Sequence, residues 1–280
     1  MRTKLIITSL VIVVAITATA CGGLSSGTSA VSQSQPAQAG APVSANCGVT
    51  VSQDQQNADR NVSRSPIRIV LFQDKTGSAN DTRTVQLTEA DFAAPIKLLR
   101  CTGGELGVGV VDDLSNRPLV RLRIDAPPAP PALPQARNVF QRAADDGDYQ
   151  QRMKDYNDGV AKWTLETDRR VQAFLAQAGQ LLKQKANAKK TNVWSAVARA
   201  DLYLNESDAT WPRPTHRYAV FNSDAVDTAR SKAIELKSGA QLIVVNGVGS
   251  VGVLDSLKPD RFEAVQAAFD FIAAKELGGK

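Results

Sequence analysis

The sequence has little of the chemistry on which most enzymes depend. It contains one histidine and three cysteines among 280 residues. The lone histidine, His216, leaves no Ser-His-Asp pattern and no metalloprotease helix, and no phosphate-binding glycine loop or nucleophilic cysteine motif is present. The glycine-rich stretch 247–252 resembles a dinucleotide fingerprint only superficially, because its interleaved valines favour extended chain. We therefore expect a protein that is not an enzyme.

A strong excess of one charge is also missing. The chain has 33 Lys and Arg against 28 Asp and Glu, which gives a formal net charge of +5. There is no clustered basic stripe with interleaved aromatic residues, so the composition does not favour nucleic-acid binding. The densest basic patch is formed by four lysines between 183 and 190, and a solvated helix end explains it.

The N-terminal apolar run is short for a membrane span. Leu5–Ala20 has about 16 residues, whereas a spanning helix needs roughly 20. Small residues then precede a cysteine in Ala18–Cys21, which resembles the lipobox of bacterial lipoproteins. The resemblance implies a signal peptide at 1–20, cleavage before Cys21 and a diacylglyceryl group on its sulfur. A signal anchor and a plain secretory signal are the alternatives.

Residues 21–46 carry no charge and are rich in Ser, Ala, Gln, Gly and Pro. Such a stretch cannot bury a core, so we predict a flexible tether. Together with the lipid, it would hold residues 47–280 on the extracytoplasmic side of a bacterial membrane. Depending on the envelope, that is the outer membrane or the outer face of the cell membrane.

Two cysteines, Cys47 and Cys101, remain after the lipidated one. An exported protein meets an oxidising compartment, and an even remainder there favours one disulfide. The alternative is a pair of buried free thiols. A bridge that closes the loop from Cys47 to Cys101 would stabilise the fold by roughly 4 kcal/mol.

Beyond the tether, apolar runs typical of buried strands alternate with helical patterns. This alternation predicts an α/β domain with a doubly wound, mostly parallel sheet covered on both faces. Asp112–Asn116 is predicted to form a hairpin turn. Strands are predicted at Ile67–Phe72, Leu106–Val111, Pro118–Ile124, Tyr218–Phe221 and Leu242–Val245, and helices after Thr88, after Asn192 and at Phe262–Leu277.

Residues 127–188 interrupt this alternation with a Pro-rich linker and a helical insertion. Apolar residues recur there at spacings of three and four, which predicts one long helix or two helices broken near Gly159. We expect this stripe to pack within the chain, because glycines at 147, 159 and 179 weaken a free-standing rod. A projecting coiled-coil arm is the alternative.

Oxygen-bearing side chains follow the predicted strands. Asp74, Thr76 and Ser78 come directly after the first strand, Thr191 precedes a helix, and Asp224 follows a later buried strand. In an open parallel sheet, ligands bind at the carboxyl ends of strands. Carboxylate and hydroxyl oxygens suit Mg²⁺ or a similar hard cation.

The order of these residues resembles the von Willebrand factor type A family. The metal-ion-dependent adhesion site of that family combines Asp-x-Ser/Thr-x-Ser, a loop Thr before a helix and an Asp after a later strand. The resemblance covers about residues 67–277 and implies a Rossmann-like fold. It also implies that the same five residues bind Mg²⁺, or Mn²⁺ or Ca²⁺. An acidic group of an unknown protein partner would then complete the metal shell, which makes partner binding depend on the metal.

The chain departs from the family pattern in two places. Ala225 follows Asp224 where the family often has Gly, and a long spacer separates the first two motifs. We interpret Asp227 and the pair Asp112-Asp113 as surface acids rather than as supporting groups of the site. A structural scaffold with a vestigial metal site, contacting partners through the helical insertion, is the alternative function.

Overall fold

The computed structural model describes residues 66–76, 84–132, 139–185, 188–207, 216–245 and 252–277. Strands and helices alternate along most of this part of the chain. The strands are β1 (Ile67–Asp74), β2 (Gly104–Val111), β3 (Val120–Ile124), β4 (His216–Asn222), β5 (Gln241–Val245) and β6 (Asp260–Phe262). The α-helices are α1 (Ala93–Thr102), α2 (Val139–Leu182), α3 (Val193–Asn205) and α4 (Val265–Leu277).

The six strands form one sheet in the order β3-β2-β1-β4-β5-β6. Every neighbouring pair is parallel except β2 and β3, which are antiparallel and joined by the predicted hairpin turn. The strand order reverses between β1 and β4, so the topological switch point of the sheet lies there. The predicted α/β fold with a mostly parallel sheet is confirmed.

Apolar side chains cover the sheet on both faces. Every residue of β1 is buried, as expected for a central strand between two helical layers. On one face, side chains from α1, α2 and α4 share a core with alternate strand residues such as Ile69 and Leu71. On the other face, α3 packs against Val70 and Phe72. The alternation of β1 side chains therefore decides which helix contacts which face.

Local sequence signals explain how α1 begins and ends. A capping box links Thr88 and Asp91 at the short 3-10 turn that leads into the helix, as the spacing predicts. Gly103 ends α1 with a positive φ of 70°. Gly104 then starts β2 at a φ of 142°, and a Cβ on it would lie 2.2 Å from the Ile67 carbonyl oxygen. Only glycine fits this close approach between the first residues of β1 and β2.

The helical insertion forms one continuous helix, so the break near Gly159 does not occur. The C-terminal half of α2 packs on the sheet: Val171 and Phe174 are buried, and Phe174 makes an edge-to-face contact with Phe92 at 5.4 Å. The indole of Trp163 donates a hydrogen bond of 2.9 Å to the carbonyl of Asp125. Most side chains between 147 and 162 are exposed. The expected packing therefore holds for the C-terminal half of α2.

The prediction of a helix from Phe262 onward is wrong at its start. Residues Asp260–Phe262 form β6, which pairs in parallel with Ile243–Val245 of β5. Three residues are too few to show a strand periodicity, and the pairing is made with chain distant in sequence. Helix α4 begins only at Val265.

The predicted signal peptide, the tether, Cys21 and Cys47 lie outside the described residues. The disulfide between Cys47 and Cys101 stays a prediction, because Cys47 is not among the described residues. None of the helices in the described ranges combines the length and hydropathy that a bilayer crossing needs.

Two glycine substitutions test this account of the backbone. We expect Gly104→Ala to lower the free energy of unfolding by roughly 2 kcal/mol or more, since it adds a backbone clash to a strained φ. Gly159→Ala has open space around its Cβ and should raise the same quantity by about 0.5–1 kcal/mol through helix propensity. Urea titration measures both, and equal effects of the two substitutions would contradict the account.

Candidate metal site

Asp74 lies at the switch point of the sheet. It is the last residue of β1, and the residue before it, Gln73, stands opposite Asn222 at the end of β4. The carboxyl ends of these two parallel strands therefore meet beside Asp74. Doubly wound sheets bind their ligands at this position, outside the carboxyl ends of the strands at the switch point.

The carboxylate of Asp74 is fully buried and accepts three hydrogen bonds. Its Oδ1 accepts from the Thr76 amide at 2.9 Å and from the Thr76 hydroxyl at 2.6 Å. Its Oδ2 accepts from the Ser223 hydroxyl at 2.5 Å. The first pair of bonds folds the predicted Asp-x-Thr motif into a tight turn, and the third ties that turn to the end of β4.

Burial raises the pKa of Asp74, and the nearby charge of Asp224 adds to that rise. The hydrogen bonds from Ser223 and Thr76 act in the opposite direction but do not cancel the desolvation. The negative charge at this position is therefore incompletely compensated by the protein's own groups. A bound cation would supply the missing stabilisation.

Sequence reasoning overlooked Ser223. Ser223 lies directly before Asp224, and the parallel pairing of β1 and β4 brings the residue after Asn222 beside Asp74. Because Ser223 and Asp74 are 149 residues apart in sequence, their contact can be predicted only when that strand pairing is known.

An amide network holds the neighbouring loop over the site. The Gln73 side-chain oxygen accepts hydrogen bonds from the Leu87 amide at 3.0 Å and from the Asn222 side chain at 2.8 Å. The Asn222 side chain also donates to the Val85 carbonyl at 2.8 Å. Both side chains are buried, and this mutual pairing meets the hydrogen-bonding needs of their polar groups.

Thr191 is buried immediately before α3. Its amide donates to the Thr228 hydroxyl at 2.8 Å, and its carbonyl accepts from the Thr228 amide at 3.0 Å. The chain just before it approaches residues 74–76, the metal loop of the candidate site, because Ala188 forms a parallel bridge with Thr76. The structure therefore joins the Thr191 segment to the loops after β1 and β4 through backbone contacts.

Asp224 is half-buried, and its Oδ1 accepts from the Val226 amide at 3.0 Å. Ala225 has a φ of 55°, a conformation that favours glycine. The residue at which the chain departs from the family's Asp-Gly pattern therefore adopts a backbone conformation typical of glycine. Ser78, the remaining predicted ligand, lies outside the described residues.

Two acids differ from their prediction as surface groups. Asp112 is 4% exposed and accepts hydrogen bonds from the Leu114 and Ser115 amides in the hairpin turn. Asp227 is half-buried and packs beside the first turn of α3, where its Oδ2 accepts a hydrogen bond from the Trp194 amide at 3.4 Å. The other oxygen of Asp227 is buried and has no hydrogen-bond partner among the described residues.

The donor set fits a hard cation held mainly by hydroxyls. No cluster of three or more His, Cys, Asp or Glu is placed to hold a metal within the described ranges. However, a hydroxyl that donates a hydrogen bond to a carboxylate keeps lone pairs on its oxygen, and Asp74 accepts two such hydrogen bonds.

Comparisons with known proteins give a likeness among solved structures. No protein-family profile and no curated protein matches the chain. Among solved structures, it is similar to "von Willebrand factor type A from Catenulispora acidiphila", with 16% identity, a TM-score of 0.39 and coverage of 77% of this chain. The match spans 43% of that chain. The contacts of the site, rather than this likeness, support the function proposed below.

The buried carboxyl predicts a pH dependence of stability in the metal-free protein. Since the pKa of Asp74 is raised above its ordinary 3.8, its stabilising contribution is fully present below that pH and is lost as pH rises through the folded-state pKa. We expect Asp74→Asn to lack this decline and to be more stable than the wild type at pH 7. Urea titrations between about pH 3 and pH 8 measure the effect.

The matched control is Asp113→Asn, which changes an exposed acid on a neighbouring loop. It should follow the wild-type profile. If Asp74→Asn also lost stability as the pH rises, the buried carboxyl of Asp74 would not be the cause of that decline.

Proposed function

We propose that this protein is a lipid-anchored, extracytoplasmic binding protein with a divalent-cation-dependent, adhesion-type site. Asp74, Thr76, Ser78, Thr191 and Asp224 would form the site, with Mg²⁺, or Mn²⁺ or Ca²⁺, as the cation. The ligand would be an acidic group on a protein partner. The proposal assigns no catalytic activity to the chain.

One observation carries the proposal. At the switch point of the sheet, the buried carboxylate of Asp74 accepts hydrogen bonds from the hydroxyls of Thr76 and Ser223. Neutral hydroxyl ligands oriented by a carboxylate leave a bound cation with net positive character. Such a cation attracts an acidic side chain from outside, because the carboxylate completes its coordination shell.

The remaining residues of the site support this arrangement from two sides. Asp224 is close enough to Asp74 to raise its pKa, so these carboxyls form a negative centre that favours a cation. The Thr191 segment is attached to the metal loop through Ala188 and to the loop after β4 through Thr228. Loops from three parts of the chain thus converge at the proposed site.

Isothermal titration of Mg²⁺ and Mn²⁺ into the full-length protein in detergent tests the site. We expect saturable binding in the wild type and its loss in Asp74→Ala, because that variant removes the acceptor that orients both hydroxyls. Asp113→Ala serves as the control and should bind like the wild type. No uptake of either ion by the wild type, or undiminished uptake by Asp74→Ala, would refute the proposed site.

A second candidate is a scaffold that contacts partners through α2. The observation in its favour is the exposed half of that helix, where Tyr149, Met153, Tyr156 and Val160 form a half-buried apolar stripe. This candidate requires no cation. Partner binding that persists in the presence of a chelator would favour it over the metal-dependent function.

The anchor is tested separately by Cys21→Ser. The substitution removes the only sulfur that a lipobox can acylate, so we expect the protein to leave the membrane fraction and to lose label from a radioactive fatty acid. Cys101→Ser keeps Cys21 and should remain labelled. Labelling that survives Cys21→Ser would disprove the lipoprotein assignment.

A further inference from the structure

Lys75 is a buried cation inside the metal loop. It lies between Asp74 and Thr76 and is 7% exposed. Its Nζ donates hydrogen bonds of 2.6 Å to the carbonyl of Leu182 and of 2.6 Å to the side-chain oxygen of Gln86. Leu182 is the last residue of α2, so the side chain of Lys75 reaches from the metal loop to the end of the long helix.

The surroundings of Lys75 give this contact a physical reason. Both acceptors of its ammonium group are neutral oxygens, and burial lowers the pKa of Lys75. The last carbonyls of a helix lack intrahelical donors and carry the negative end of the helix dipole. Lys75 therefore donates to a carbonyl that the helix itself leaves unpaired. The negative end of the helix dipole in turn offsets part of the cost of burying the ammonium charge.

Backbone contacts reinforce the same connection. The carbonyl of Lys75 accepts from the Ala188 amide at 3.4 Å, and Thr76 forms a parallel bridge with Ala188. The side chain of Gln86 also donates to the Asp74 carbonyl at 3.4 Å. The segment after α2 and the loop around Gln86 thus contact the metal loop on both sides of Lys75.

We propose that Lys75 is a positioning residue that couples the C-terminal turn of α2 to the metal loop. By holding the backbone between Asp74 and Thr76, it places the Thr76 hydroxyl for the cation. Cation binding and the order of that helical turn are then linked, and linkage is reciprocal. The cation half of this inference rests on the proposed function, whereas the coupling of helix and loop does not.

Lys183 provides a matched control because it follows Leu182 directly in sequence. It carries the same charge at the same helix end, but its side chain is 81% exposed and lies 4.0 Å from Glu89. Lys75→Met and Lys183→Met therefore make the same chemical change in two different places. Both keep most of the aliphatic side chain and remove the ammonium donors.

The first measurement is hydrogen exchange of the full-length protein without metal, followed on peptides covering 74–76 and the last turn of α2. We expect Lys75→Met to speed exchange in both segments and Lys183→Met to leave both unchanged. Faster exchange at the helix end alone, with the 74–76 amides as protected as in the wild type, would overturn the coupling. If Lys75→Met does not fold, Gln86→Met removes one of the two acceptors of Lys75 from a half-buried position and should give a smaller change in both segments.

The second measurement is the Mg²⁺ affinity of the same variants. Loss of a supporting contact behind a metal ligand typically weakens binding by about 10–100-fold, so we expect a loss of that order in Lys75→Met. A purely electrostatic role predicts the opposite, because removing a nearby positive charge tightens cation binding. Unchanged or tighter binding would overturn the positioning role. Absence of Mg²⁺ binding in the wild type would instead refute the proposed function, and the exchange measurement would still decide the coupling.

Discussion

The buried carboxylate of Asp74 is the constraint on which the rest of the site depends. A charge removed from water costs several kcal/mol unless nearby groups stabilise it. Hydroxyl donors at two strand ends stabilise this carboxylate: Thr76 in the turn after β1 and Ser223 at the end of β4. The two loops are therefore fixed to each other across the switch point. This placement brings carboxylate and hydroxyl oxygen atoms together at the carboxyl ends of β1 and β4.

Buried cations at the two ends of β1 anchor the surrounding helices to the sheet. Near the start of the strand, Arg68 donates to the carbonyls of Tyr203 and Glu206 at the end of α3, at 3.1 and 2.6 Å, and pairs with Glu105 at 2.9 Å. After the other end, Lys75 donates to the last carbonyl of α2. The two helices that end on these cations cover opposite faces of the sheet. One central strand thus organises both layers and the candidate site together.

Local signals in the sequence were sufficient for most of the framework. The predicted strand that ends at Ile124 and the predicted helix after Thr88 each depend on residues close in sequence, and the structure contains both. The partners of Asp74 and Lys75 could not be identified in this way. Ser223 is 149 residues from Asp74, and Leu182 is 107 residues from Lys75, so only strand pairing and helix packing bring them together.

The central claim is that a divalent cation binds at the carboxyl ends of β1 and β4. Anomalous diffraction from crystals grown with Mn²⁺ tests it most directly, because the signal locates the ion without reference to any partner. The account predicts a peak within direct coordinating distance of the Thr76 hydroxyl oxygen. The Asp74 carboxylate should contact the same ion directly or through one water molecule. A peak elsewhere on the molecule, or none at saturating Mn²⁺, would contradict the account.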